Sequence, residues 1–280
     1  MNSVILGLNI VATPIGNLED ISERAINTIK ESDYIICENP KHSLKLLNNL
    51  GIKKKLIALH DYNEELLINK IKYDLGKKII TLISDAGSPL ISDPGYKLVR
   101  YCIENNVKIT SVPGPSSVIS GLQLSGLPLN EFSFVGFLPK TKKQIYDFLK
   151  KINDRNETAV FFVSSHKVLL CLEIMSTTID KRKISVLKEM TKINEKVFRG
   201  LIKEVHREVQ KNKANIKGEF VFVVDGQTKQ DTISNELFER RGEIKKLLSK
   251  FSLTEVVEIV HKLTGIRKNK VYKWVLDLKK

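Results

Sequence analysis

From Val4 to Val112 short apolar, β-branched runs alternate with longer stretches of helical period, and this alternation restricts the fold more than any other feature of the chain. Strands are expected over Val4–Ala12, Tyr34–Cys37, Lys55–Leu59, Lys78–Ser84 and Val107–Val112. The punctuation between them marks helices. Asp20, with Glu23 in the capping-box position, opens a helix over 21–31. Asn39 and Pro40 supply the N-cap and first turn of a second, which ends near Gly51. A third runs from Asn63 to Leu75 and is closed by Gly76; Asp93 and Pro94 open a fourth, which Asn106 stops. Strands joined by crossover helices pair in parallel, so the first half is expected to form a largely parallel sheet with helices on both faces.

Beyond Pro113-Gly114-Pro115 the pattern changes. A helix of small and apolar residues spans Ser116 to Ser125 and is stopped by Gly126 and Pro128. Strands follow at Phe132–Leu138, Thr158–Val163, Lys183–Met190 and Glu219–Val224, separated by helices near 141–151, 165–176 and 201–211. The closing strands have shorter connections, which implies a partly antiparallel sheet. A polar stretch, Asp225–Glu236, ends this region, and Leu237–Lys280 reads as wholly helical. There Leu253–Leu263 and Lys268–Leu278 flank Thr264-Gly265-Ile266 in a helix-turn-helix-like pattern. The expected fold is therefore α/β: an N-terminal domain over 1–114, a second α/β domain over 115–227 and a helical segment over 228–280.

Composition narrows the partners. At 42% hydrophobic and 28% charged, a chain of 280 residues buries a core without cross-links, and its apolar runs are far too short to cross a bilayer. Met1 to Pro14 has neither a basic n-region nor a small-residue cleavage site, so no signal peptide is expected. Cys37, Cys102 and Cys171 are scattered and form no CxxC, which suits a reduced cytoplasm. The net charge is +14. Such an excess suggests a polyanion, most often nucleic acid, although the dominance of Lys over Arg and the richness in Asn and Ile are also what an A/T-rich coding sequence produces. The excess is dense at the end, where Arg267, Lys268, Lys270, Lys273, Lys279 and Lys280 face only Asp277 and interleave with Tyr272 and Trp274, the latter either a stacking group or a core anchor.

In open α/β sheets ligands bind outside the carboxyl ends of the strands. Three loops there are rich in Gly, Pro and small polar residues: Thr13–Asn17, Ser84–Gly95 and Val112–Ser117. Each alone reads as a tight connection; together they suit a preformed pocket that backbone can line closely. No GxGxxG or GxxxxGK[ST] occurs, so a phosphate-cradling cofactor is unsupported, and the five His residues form no zinc pattern. Asp85 suits either a ligand amine or hydroxyl or an Asx-turn. Cys37, at a strand end, reads as core packing. Leu59-His60-Asp61-Tyr62-Asn63-Glu64 clusters polar groups at the proposed site edge.

Ile10 through Ile21, Ser84 through Tyr96 and Val112 through Ser116 closely resemble the tetrapyrrole methylase superfamily and, within it, the bacterial methyltransferases that modify 16S rRNA. Supporting runs are Leu59 to Glu64, Phe134 to Pro139, Glu189 to Lys192 and Lys217 to Val221, so the likeness extends in order along essentially the whole chain. The resemblance implies two α/β domains with S-adenosyl-L-methionine in the cleft between them, in a homodimer. It implies transfer of a methyl group to a cytidine ribose 2'-oxygen in the decoding region of 16S rRNA, in the small ribosomal subunit or its precursor. Carried over by residue, the cofactor would meet Pro14, Ile15 and Gly16, the loop Asp85, Ala86, Gly87, Ser88 through Ile91, and Ser116 and Ser117. Glu38, Lys41, His60 and Asp85 are candidates to assist the hydroxyl. The reading favours Asp85 for the cofactor, His60 or Glu38 for the proton, and Lys41 with Arg267, Lys268, Lys270 and Lys273 for RNA.

The chain also departs from that resemblance. Glu38-Asn39-Pro40-Lys41-His42 stands where such proteins commonly carry Glu-Asp-Thr-Arg-His, and Val163 and Lys167 stand where a Glu and an Arg are common. Lys does not reproduce a bidentate Arg contact. The alternatives are a methylase of small, tetrapyrrole-type molecules, which leaves the basic charge unused, and a diverged relative that binds rRNA without catalysis.

Overall fold

A computed structural model describes residues 4–213, 216–227 and 241–279. The polar stretch to Glu236 and the expected helical start at Leu237 lie outside these residues beyond position 227. The fold has the α/β class expected, with two sheets and C-terminal helices.

The first sheet holds β1 (Gly7–Val11), β2 (Tyr34–Cys37), β3 (Leu56–Ala58), β4 (Ile79–Ile83) and β5 (Ile109–Val112), in the order β3-β2-β4-β1-β5 and parallel throughout. Its strands lack an apolar/polar alternation because both faces are covered. On one face α3 (Glu64–Ile71) and α4 (Tyr96–Glu104) set Leu67, Ile68, Leu98 and Cys102 against Ile36, Ile80 and Leu82. On the other, α1 (Glu23–Glu31) and α2 (Pro40–Asn49) set Ala25, Ile29 and Leu47 against Val11, Ile35 and Ile83.

Two helix starts differ from expectation. Ser22, not Asp20, caps α1: its hydroxyl accepts the Ala25 N–H at 3.2 Å, while Asp20 ends a short 3-10 turn over Leu18–Asp20. Helix α4 begins at Tyr96, not at Asp93, because Leu90 and Ser92 (each φ 74°) and Gly95 (φ 126°) hold the preceding backbone in the left-handed region. Asp93 is thereby left in a loop.

The second sheet is mixed. It orders β6 (Phe132–Phe137), β7 (Thr158–Ser164), β10 (Glu219–Val224), β8 (Lys183–Lys188) and β9 (Lys196–Leu201); only β6 and β7 pair in parallel. Strand β9 was not expected. It is an edge strand in which Phe198 alone is fully buried and Gly200 interrupts the pattern, so it carries almost no period-two signal. Helix α5 (Ser117–Ser125) packs Val118 and Leu122 on one face against Val160, Leu187 and Val221. Helices α6 (Lys142–Asn153), α7 (Val168–Thr178) and α8 (Ile202–Lys211) cover the other through Ile145, Leu149, Met175 and Val205, around Phe161 and Phe222.

The chain divides into two compact units after Asp225, residues 154–156 joining the second. Both sheets belong to the first unit. The second contains α9 (Arg241–Leu248), α10 (Leu253–Thr264) and α11 (Lys268–Lys279), built around Ile244, Val256, Val260, Val271 and Val275. Ser252 and Glu255 form a capping box at the start of α10, and Gly265 (φ 68°) closes it with an N–H bond to the His261 carbonyl at 2.9 Å. Trp274 packs against this core, the anchoring role of its two expected alternatives. No described helix is long and apolar enough to cross a membrane.

Candidate active site

Strands β4, β1 and β5 are immediate neighbours, so the three small-residue loops leave the sheet side by side. They are bonded to one another. Thr13 and Gly87 exchange backbone hydrogen bonds of 2.9 and 3.0 Å, the Thr13 hydroxyl donates to the Ser84 carbonyl at 3.2 Å, and Ser88 Oγ donates to the Pro115 carbonyl at 3.3 Å. The loop path is therefore fixed by the sheet edge.

These loops and the end of β2 bring carboxylates together. Glu38 directly follows β2, Asp85 follows β4, and Asp93 sits in the left-handed segment before α4. The Asp85 carboxylate accepts the Asn39 N–H at 3.2 Å, and His42 Nδ1 lies 3.8 Å from the same oxygen. Asn39 and Pro40, which depart from the resembled pattern, still start α2: the Asn39 side chain accepts the Lys41 N–H at 3.1 Å. Burial foremost, then Glu38 and Asp85, push the Asp93 carboxyl up to about 6 against a hydrogen bond from Ser84. Burial, then Asp85 and Asp61, also raises Glu38.

The facing wall comes from the second sheet. Because β10 runs antiparallel to β7 and β8, its first residues lie beside their last ones, Glu219 opposite Ser164 and Phe220 opposite Lys188. Beyond β8 the chain turns through Glu189 (φ 50°) and Thr191 (φ 64°). The Glu189 carboxylate holds this turn, accepting from Lys192 Nζ and from the Glu219 N–H, each at 2.9 Å. Burial opposes the charge, but Lys192 and the Glu219 N–H together keep the Glu189 carboxyl below its ordinary range. The first loop meets the turn directly: the Asn17 N–H donates to Thr191 Oγ1 at 3.0 Å. A Cβ on Gly16 would lie 2.6 Å from Thr191 Oγ1 and 2.8 Å from the Met190 carbonyl oxygen, so only glycine permits this approach.

Between the walls lies a cavity of about 540 Å³. Of the positions carried over for a cofactor, Ile15, the loop from Asp85 to Ser88, Ile91, Ser116 and Ser117 line it; Pro14 and Gly16 do not. Glu38 lines it; His60 does not, being exposed with its backbone N–H bonded to Asn63 Oδ1 at 2.9 Å, next to Asp61, which acts on Glu38. Lys41 is exposed in the first turn of α2. In the second unit Arg267, Lys268, Lys270 and Lys273 are all exposed, with Lys268 Nζ 3.7 Å from Glu258.

Sequence reasoning did not assign Asp93, Phe137, Phe162 to Ser165, Met190 or Gly218 to Val221 to the cavity, which they line. The runs around Phe134, Glu189 and Lys217 were visible only as resemblance. Val163 is buried at the cavity, and Lys167 Nζ donates to the Pro139 carbonyl at 3.0 Å.

A parallel sheet and a mixed sheet with a small-residue cleft between them is the arrangement of the Tetrapyrrole (Corrin/Porphyrin) Methylases, whose profile matches residues 7–206; the chain belongs to this family. Within it, the chain is 38% identical over 275 residues to the Ribosomal RNA small subunit methyltransferase I of Haemophilus influenzae, covering 96% of each. It is 41% identical over 221 residues to the protein of the same name from Halalkalibacterium halodurans, covering 78% of this chain and 75% of that one. Among solved structures, diphthine synthase has the same fold, with a TM-score of 0.60 at 15% identity over 79% of this chain and 90% of its own.

Proposed function

We propose that the protein transfers a methyl group from S-adenosyl-L-methionine to the ribose 2'-oxygen of a cytidine in the decoding region of 16S rRNA, in the small ribosomal subunit or its precursor. The observation that carries the reading is the cavity in which Glu38, Asp85 and Asp93 face the aromatic and hydroxyl groups of the second sheet. The RNA substrate is supported by the names of the relatives and by the +14 charge. The choice of a cytidine 2'-oxygen rests on the resemblance of the loops. The same reading has the protein working as a homodimer in the cytoplasm.

The residues present fit the cofactor. A cavity of about 540 Å³ lies in the usual range for small-molecule sites, roughly 300–1,000 Å³, and the Asp85 carboxylate suits a cationic ligand. Ile15, the loop from Asp85 to Ser88 and the Ser116–Ser117 pair would hold it. When bound, the group supplies an electrophilic methyl on a sulfonium. The chain must place the ribose hydroxyl in line with that methyl, and rigid, mutually bonded loops do this at little entropic cost. The hydroxyl is a poor nucleophile, so a base assists. Asp93, with its carboxyl raised toward neutrality, and the neighbouring Glu38 line the cavity, and in this reading one of them accepts the proton.

Labelled methyl transfer to small subunits that lack the modification, followed by mapping of 2'-O-methyl positions, tests the reading. The expected product is one methylated cytidine in the decoding region. Transfer to a porphyrinoid instead, or no cofactor binding by calorimetry at millimolar concentration, would overturn it. A full-length variant with Arg267, Lys268, Lys270 and Lys273 changed to Ala should keep cofactor affinity, bind RNA more weakly and show a shallower salt dependence, by about one unit of slope per lost phosphate contact.

A further inference from the structure

Phe137 is 61% exposed although it ends a strand and lines the cavity. Side chains alternate faces along a strand, so Phe134 and Phe137 should point to opposite sides of the sheet. Instead both rings meet Phe162, with centroids 4.9 and 5.1 Å away. The cause is a register shift between Phe134 and Phe137, in which Gly136 adopts φ 76°. Val135 and Leu138, on either side, pack into the core under α6 to α8, so without the bulge Phe137 would be turned to that side. The bulge re-aims an aromatic ring from the interior to the cavity.

The ring is also held. Phe162 meets it nearly edge-on, at 63°, leaving ring surface open to solvent. The segment just beyond it is fixed by the Leu138 N–H bond to the Phe162 carbonyl, 2.8 Å, and by the Lys167 ammonium on the Pro139 carbonyl, 3.0 Å. Packed on Phe162 yet largely exposed at the cavity, the re-aimed ring presents an open aromatic face to a ligand there. In a chain of net charge +14 the fitting ligand is a nucleobase, because a flat aromatic face stacks on a base lifted out of an RNA strand.

We propose that Phe137 is the stacking platform for the base of the nucleotide being modified, and so holds its ribose over the cavity. The inference rests on the RNA-methyltransferase reading above and adds to it the group that positions the substrate. Phe137→Ala should raise KM for small subunits roughly 5- to 100-fold, the scale of one lost base stack. Cofactor affinity, sedimentation and thermal unfolding should stay as in the parent. Phe137→Trp should recover most of the loss and Phe137→Leu should not, while Tyr73→Ala, an exposed aromatic away from the cavity, should have no effect.

Four results would overturn the inference: an unchanged KM in Phe137→Ala, a loss that follows cofactor affinity, an altered oligomeric mass, or rescue by Leu equal to that by Trp. A reporter separates this from the parent reading. In a Phe137→Trp, Trp274→Phe chain, whose only indole is at 137, a cytidine-containing RNA oligonucleotide should quench the fluorescence. If the parent protein transfers no methyl to subunits the RNA-methyltransferase reading fails, and quenching then decides the platform independently, its absence overturning it.

Discussion

The two walls of the cavity are built in opposite ways. In the first sheet β4, β1 and β5 run side by side in one direction, so three loops reach the same edge and bond to one another. In the second sheet the edge takes the ends of β6, β7 and β8 but the beginning of β10. The first wall is loop, rich in carboxylates and small residues; the second is strand end and tight turn, supplying aromatic and apolar surface. Parallel topology gathers chemistry on loops, whereas mixed topology offers shape. The first wall should therefore carry turnover and the second placement.

The sharpest test of that division is Asp93→Asn, which keeps size and removes the proton acceptor. Turnover should fall about 10²- to 10⁴-fold while cofactor affinity changes little. Because Asp93 is pushed up to about 6, parental kcat/KM should climb as pH rises through that value, and the Asn variant should lose this limb. The same group shapes stability. Its folded carboxyl binds protons more tightly than the unfolded one, so its contribution is full below about pH 4 and is lost as pH rises toward 6; unfolding midpoints in the variant should lack that slope. A variant with full turnover would remove Asp93 as the base; the division then holds if Glu38→Gln loses turnover instead and breaks if neither first-wall carboxylate matters.

The two walls also differ in how much of each was readable beforehand. Strands such as Tyr34–Cys37 and loops such as Pro113-Gly114-Pro115 announce themselves by local composition and turn chemistry, so the first sheet and its three loops were legible residue by residue. Asp93 was misread as a helix start, since the left-handed backbone at Leu90 and Ser92 has no glycine to signal it. In the second sheet, which strand ends reach the cavity depends on pairing direction, a non-local property. The Gly136 bulge and the edge strand Lys196–Leu201 leave only weak traces in the sequence for the same reason.

Where the walls meet, Gly16→Val is the next largest perturbation. The added carbons collide with the Met190 carbonyl oxygen, which cannot swing aside as a side-chain tip can, so the first loop and the turn must separate. Overpacking of this kind costs about 1–3 kcal/mol. Calorimetry should show cofactor binding weakened roughly tenfold to a hundredfold. Binding at parental strength would mean that the cavity does not need the two walls in contact at this point.

The smallest effect is expected deep in the second wall, at Glu189→Gln. The amide keeps an acceptor for the Glu219 N–H but loses the charge that pairs with Lys192, which also reaches Glu219 at 3.1 Å. A partly exposed pair of this kind is worth about 1 kcal/mol, so cofactor affinity should fall only a few-fold, through loosening of the turn that carries Met190. The pH signature is opposite to that of Asp93. The Glu189 carboxyl is held below its ordinary value of 4.5, so its stabilisation is present above that value and is lost as pH falls through the folded one. Acid unfolding of the parent should therefore show a loss that the Gln variant lacks. A turnover loss as large as that of Asp93→Asn, at unchanged cofactor affinity, would place chemistry on the second wall and end the distinction between the two.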